Sequence, residues 1–336
     1  MQLSNSTEMQ TKKNDMPYYQ PNNPKSPSAE ELNEKCKQIE QSISAAETLK
    51  GDNNFLNYII RKEQVLFSGI YSQIFACHNH QEPDSTLICR MFQTNANIDP
   101  LNDVFLKILR FIGRKSQNIV GTYDIFYDQT RRIYLFQELA NRGNVLEYLK
   151  AGTFVEPTQA IKWAFSIWEA MDFLGSIGVA HRSIRPKHIM LKTNPLSGTM
   201  IAKLGSFRDS IIYWNRETGS VVTVKKSPWS EIKFANFQAP ESFSKDDGGA
   251  FDPISADVWS FGATFFYIIA RLYPFDLYKA NDIPTVEQEI HHRINSSGAL
   301  KPEAKKWFMD LLNVDPNKRI RFDDIVNDPW FRSEIN

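Results

Sequence analysis

The chain has 336 residues, 42% of them hydrophobic, enough to bury the core of one large domain or two linked ones. Lysine plus arginine balance aspartate plus glutamate at 39 each, so no global field favours nucleic acid or an anionic membrane surface. The three cysteines, Cys36, Cys77 and Cys89, match no metal or redox spacing and read as reduced thiols of a cytoplasmic protein, with cytoskeletal association left open.

Residues 1–28 are polar and rich in Asn, Ser and Pro, which predicts a disordered tail and offers no signal-peptide core. A helix is expected over 29–50, with Ser28 as N-cap and Glu31 as its capping-box partner. Its apolar residues Leu32, Cys36, Ile39, Ile43 and Ala46 alternate at four and three, the seam of a short coiled coil. Such a helix is marginal alone in water, so the seam must be covered, either by its own small lobe or by a protein partner. From Asn57 to Phe92, β-branched and aromatic residues cluster in short runs that predict antiparallel strands. A helix over Leu101–Ile112 follows, with Leu101, Val104, Phe105, Ile108, Leu109 and Ile112 on one apolar face. Strands are expected around Ile119–Phe126 and Ile133–Glu138, and beyond Val145 the pattern turns helical. No apolar run is long enough to span a bilayer.

Six short motifs then appear in order. They are His181-Arg182-Ser183-Ile184-Arg185-Pro186-Lys187-His188, Ala239-Pro240-Glu241, Asp257-Val258-Trp259-Ser260-Phe261-Gly262, Tyr273-Pro274-Phe275-Asp276, Asp315-Pro316-Asn317-Lys318-Arg319 and Pro329-Trp330-Phe331. Together they resemble the protein kinase superfamily, serine/threonine type, with a calcium/calmodulin-type or testis-specific-kinase-like flavour. The resemblance implies an α+β, bilobal fold over 57–332, with a small antiparallel β lobe carrying one helix over 57–140 and a larger helical lobe over 141–332. It also implies a buried ion pair between Glu241 and Arg319, and an Asp257 that accepts bonds from the backbone of the His181 loop.

The same resemblance shows which chemistry is missing. Ser183 stands where the family has the catalytic aspartate, and His188 where it has a magnesium-binding asparagine. Ser206-Phe207-Arg208 replaces the metal-binding D-F-G, and Arg185 takes the lysine position of the loop. Serine and a lone imidazole are poor ligands for a hard cation that seeks oxygen, so no metal site is expected. Of the glycine-rich loop only Gly69 remains, with Phe67 and Ser72 at the flanking glycine positions, which predicts a plain hairpin. Arg90 replaces the phosphate-pairing lysine, and Phe105 occupies its glutamate partner's position. Gln137 falls at the gatekeeper position, Glu138 and Leu139 form the hinge, and Asn144 replaces the ribose-binding acid. Arg182 keeps the position that grips a phosphorylated activation segment in many kinases, and Ser230 lies about where such a phosphosite falls.

The expected function is a catalytically inactive kinase-fold module, a scaffold or an allosteric or assembly partner for other proteins, with no nucleic-acid or membrane role. Two alternatives stand beside it. One is an atypical kinase using Arg90, Ser183 and His188 in new roles. The other is a switch that binds ATP weakly and without magnesium, no other cofactor being implied.

Overall fold

A computed structural model describes residues 26–47, 55, 57–93, 98–228, 235–244, 249–276 and 282–335. Helix α1 (Ala29–Gln41) opens it with the expected capping box: Ser28 Oγ accepts from the Glu31 amide and the Glu31 carboxylate accepts from the Ser28 amide. The helix is shorter than the apolar spacing predicts. It stops at Gln41, where the Ser42 amide and hydroxyl both donate to the Ile39 carbonyl. The chain then runs on as an extended segment, and Ala46–Glu47 form a strand, β1. Ile43, counted in the seam, is 71% exposed, whereas Leu32, Cys36 and Ile39 are fully buried.

The small lobe is a six-stranded sheet in the order β1-β5-β6-β4-β3-β2, built from β2 (Tyr58–Ser68), β3 (Ser72–Asn79), β4 (Glu82–Phe92), β5 (Thr122–Tyr127) and β6 (Ile133–Glu138). All pairings are antiparallel except the outermost, where β1 joins β5 in parallel through Ala46↔Phe126 and Glu47↔Tyr127. A two-residue hairpin could not make that pairing; it needs a connection long enough to bring the chain round.

One face of the sheet is covered by α2 (Val104–Ile112), which buries Phe105, Leu106, Ile108, Leu109 and Ile112. The helix begins three residues later than expected, and Leu101 and Val104 are exposed. The cause is local: the Asp99 carboxylate captures the Leu101 amide in a turn, and Pro100 lies within it. The other face carries an aromatic cluster of Phe55, Tyr58, Phe126, Tyr134 and Phe136 around Cys77, Leu87 and Cys89. Phe55 sits at its centre, its ring centroid 4.4 Å from that of Tyr134.

The large lobe holds α3 (Val145–Lys150), α4 (Pro157–Ser176), α5 (Pro253–Ala270), α6 (Ile283–Ser296), α7 (Pro302–Leu311), α8 (Phe322–Ile325) and α9 (Pro329–Ile335). Between α4 and α5 run the short strands β7 (Val179–Ala180), β8 (Ile189–Thr193), β9 (Met200–Leu204) and β10 (Ile211–Ile212). Helix α5 is buried on every side from Pro253 to Phe266, as a helix apolar all round must be. Asp252 caps it by accepting from the Ile254 amide, and Gly262 lets α7 approach, since a Cβ there would lie 2.8 Å from Leu311 Cβ. No helix of the described residues is long and apolar enough to cross a membrane.

Candidate functional site

The loop between β7 and β8 is fixed from below by α5. Asp257 accepts the backbone amides of His181 and Arg182 at 2.7 Å each. This pair of hydrogen bonds holds Arg182 in the left-handed region, at φ 63°, where a side chain is otherwise strained. Burial pushes the Asp257 carboxyl up to about 7, against the pull of those two donors. The His181 ring is buried, donates from Nε2 to the Gly205 carbonyl at 3.0 Å, and stands edge-on to Phe207 at 4.9 Å. Its Nδ1 accepts the Ser183 amide, so the ring is neutral with a defined tautomer, and burial pulls its pKa down to about 4.

The chemical positions of the loop are differently occupied. Ser183 presents a hydroxyl where a carboxylate would accept a proton, and its carbonyl accepts from His188 Nδ1 at 2.8 Å. Arg185 Nε lies against the ring, 3.3 Å from Nδ1 and 3.2 Å from Nε2. Burial with the neighbouring Arg185 charge pulls the pKa of His188 down to about 3. Ser206, at the second metal position, adopts a left-handed conformation at φ 65°, and Phe207–Asp209 form a single 3₁₀ turn. Arg208 needs no glycine-like conformation in that turn; its guanidinium lies 5.7 Å from the Tyr71 ring across the cleft. Among the described residues, no cluster of three or more His, Cys, Asp or Glu could hold a metal ion. The donor set of this loop does not fit magnesium.

The upper wall of the cleft departs from the family in parallel. Gly69 turns a tight hairpin, its amide donating to the Ser72 carbonyl at 2.9 Å. The Phe67 ring folds over it, so that a Cβ on Gly69 would meet Phe67 Cε1 at 2.9 Å. The phenyl ring thus crowds the Cα of the one glycine that remains in this hairpin. Arg90 on β4 makes no ion pair with any carboxylate among the described residues, its Nε is buried without a partner, and burial lowers its pKa. Phe105 is core-facing, edge-on to Phe92 at 6.2 Å, so α2 offers Arg90 no carboxylate.

In the hinge, Gln137 donates to Thr122 Oγ1 at 3.2 Å. The Glu138 carboxylate accepts from the Gly121 amide at 2.6 Å, Lys203 Nζ at 2.7 Å and Lys192 Nζ at 2.9 Å. Burial would raise its pKa, but these three donors hold it below the ordinary carboxylate range. The Leu139 amide donates to the Thr86 carbonyl on β4, and Asn144 caps α3 by accepting from the Glu147 amide. Neither lysine contact to Glu138 has a sequence signal, because 65 residues separate Lys203 from its partner.

Below the loop, Arg319 grips Glu241 with two parallel bonds, Nη1–Oε1 at 2.6 Å and Nη2–Oε2 at 2.9 Å, and also donates to the Ser255 carbonyl. The Arg319 side chain is fully buried and its guanidinium lies 5.0 Å from the Trp259 ring centroid. Arg182 Nη1 donates to the Asp209 carbonyl at 3.4 Å, at the start of the activation segment; Ser230 lies outside the described residues.

The apolar seam predicts docking of α1 on its own small lobe or on a protein partner; contact with the large lobe is not among those expectations. The helix packs against both lobes, and the residues it meets in the large lobe are Ile177, Gly178, Trp214 and Arg216.

The family model "Protein kinase domain" matches residues 60–331. Testis-specific serine/threonine-protein kinase 1 of Mus musculus is 26% identical over 227 residues, which cover 67% of this chain and 58% of that protein. CBL-interacting protein kinase 20 of Oryza sativa subsp. japonica is 27% identical over 227 residues, covering 67% and 46%. CBL-interacting serine/threonine-protein kinase 9 of Arabidopsis thaliana is 26% identical over 218 residues, covering 65% and 45%. The chain spans about half the length of these curated relatives. A match running from β2 to α9, on a two-lobed frame tied by Asp257 and by Glu241–Arg319, makes this chain a member of the protein kinase family.

Proposed function

We propose that this protein transfers no phosphoryl group and acts through protein–protein contacts, as a scaffold or an allosteric partner built on a kinase frame. The observation that carries this reading is a serine at the base position, with His188 Nδ1 turned to the Ser183 carbonyl within its own loop. A positioned general base contributes roughly 10²–10⁴ in rate, and a serine hydroxyl does not supply it at neutral pH. The metal positions are lost as well, and phosphoryl transfer depends chiefly on charge stabilisation around the transferred group. No single substitution repairs base, metal positions and the Arg90 ion pair together.

The test is autophosphorylation and transfer to a generic protein substrate, with ATP and either magnesium or manganese. Incorporation no higher than in an Arg90→Ala control is expected, and Ser183→Asp alone is expected to leave it there. Incorporation above that control, lost in Arg90→Ala, would overturn the reading in favour of an atypical kinase.

A second reading is favoured by one specific feature, the Arg90 guanidinium, which is short of an anion. A nucleotide held by its phosphates against Arg90 without a cation would meet that need. ATP raising the melting temperature equally with magnesium and with chelator supports it; no shift in either condition removes it and leaves the first reading in place.

A further inference from the structure

We propose that residues 29–47 are an intramolecular clamp that sets the placement of the small lobe on the large one. In the family resemblance above, the strand lysine and the helix glutamate tie the small-lobe helix into place. Here Arg90 and Phe105 leave that tie unmade, and α2 is held from its outer side instead.

Glu40 is the pivot, because it touches both lobes at once. Its carboxylate pairs with Arg216 of the large lobe, and its carbonyl accepts from Lys107 Nζ on α2 at 2.9 Å. On the large-lobe side, Asn33 Oδ1 accepts from Trp214 Nε1 at 2.8 Å, and Cys36 Sγ points at the Ile177 carbonyl. Gly178 is what admits Cys36, since a Cβ at that position would lie 2.5 Å from the sulfur. On the small-lobe side, Ser44 Oγ donates to the Leu101 carbonyl at 2.8 Å, and β1 closes the edge of the sheet beside β5. Leu32, Cys36 and Ile39 are buried in the same core cluster that holds α2 and the large-lobe helices. A segment bonded to α2, to the sheet edge and to two large-lobe loops restrains every relative motion of the lobes that would separate those four surfaces. This holds whether or not the chain transfers phosphate.

The test measures a distance between the lobes in the full-length chain. Spin labels go on cysteines at Thr130 in the small lobe and Leu196 in the large lobe, both exposed. Parent and variants all carry Cys36→Ala, because Cys36 sits on α1 and would be uncovered with it, whereas Cys77 and Cys89 are buried in the small-lobe cluster and leave the label to the new sites. In the parent, one narrow distance distribution is expected. In Ile39→Asp, amides of 29–41 should exchange at least tenfold faster and the distribution should broaden or move, while α5 and α7 keep their protection. Faster exchange of α1 with an unchanged distribution overturns the proposal. Should Ile39→Asp strip protection from α5 and α7 as well, the double variant Asn33→Ala/Glu40→Ala replaces it, read in the same two ways. A double variant that changes neither α1 exchange nor the distribution also overturns the proposal, because Glu40 and Asn33 would then not join the lobes.

Discussion

Two imidazoles lie within the catalytic-loop frame, and both are neutral there for the same reason. Burial pulls His181 down to about 4 and His188 down to about 3, whereas an unfolded imidazole takes up its proton near 6.5. Between about pH 6.5 and 4 these two groups therefore bind more protons in the unfolded chain than in the folded one, and their contribution to stability rises with pH across that window. It is lost as pH falls. Each group contributes at most about 1.4 kcal/mol per pH unit to that slope. His188→Asn restores the residue type of the family and removes one titrating group. Its denaturation midpoint should fall less steeply than the parent's between pH 6.5 and 4. Comparing the two chains isolates His188, because the opposite contribution of Asp257, raised to about 7, is common to both. Parallel slopes would mean that His188 does not titrate differently on folding.

The Glu241–Arg319 pair makes a second prediction at this scale. Removing one partner of a buried, bidentate pair leaves an uncompensated charge and costs about 3–5 kcal/mol. Glu241→Ala and Arg319→Ala should each lower stability by that order in urea titration, and the double variant by less than their sum. Singles within experimental error of the parent would refute a buried pair. This pair, the Asp257 bonds and the hairpin at Gly69 were all legible in the sequence, because each belongs to a short motif whose residues have a fixed geometric role. The Lys203 and Lys192 contacts to Glu138 were not, because they join three segments with no local pattern in common.

Among the elements, α1 shows where periodicity misleads. The spacing of Leu32, Cys36, Ile39, Ile43 and Ala46 continues smoothly past Gln41, yet the helix ends where Ser42 turns its hydroxyl and amide on the Ile39 carbonyl. The Ser44 hydroxyl and the β1–β5 pairing then claim the rest of the segment. Tertiary partners outweighed a weak local preference. At α2, the Asp99 turn shortened the front of the helix in the same way, and the buried Leu106 was missed because Leu101 and Val104 drew the apolar face too far to one side. The seam can be tested one residue at a time. Ile39→Asp places a carboxylate in a fully buried site and should cost about 3–5 kcal/mol. Ile43→Asp, at a residue 71% exposed, should stay within about 0.5 kcal/mol of the parent. Equal effects in thermal denaturation would show that the seam is buried along its whole predicted length.

For the molecule as a whole, the two-lobed division is less deep than the motif order suggests. The main hydrophobic cluster runs without a break from Phe92, Ile125 and Leu135 under the small-lobe sheet, through α2 and α1, to α5 and α7. Among the described residues, the outer face of the sheet has a core of its own. A continuous core couples the unfolding of its parts, so both lobes should unfold in one transition. The chain carries its own probes for this. All seven tryptophans lie at or beyond Trp163 in the sequence, and the six described ones, Trp163, Trp168, Trp214, Trp259, Trp307 and Trp330, are in the large lobe, whereas Cys77 and Cys89 are buried in the small-lobe cluster. Burial raises the pKa of both thiols, Cys77 up to about 12, so in the folded chain they should resist alkylation. Tryptophan fluorescence and alkylation of Cys77 and Cys89 should then report the same urea midpoint. Thiols that react well before the fluorescence changes would place the weakest boundary of the molecule between the lobes, despite the shared core and the helix laid across it.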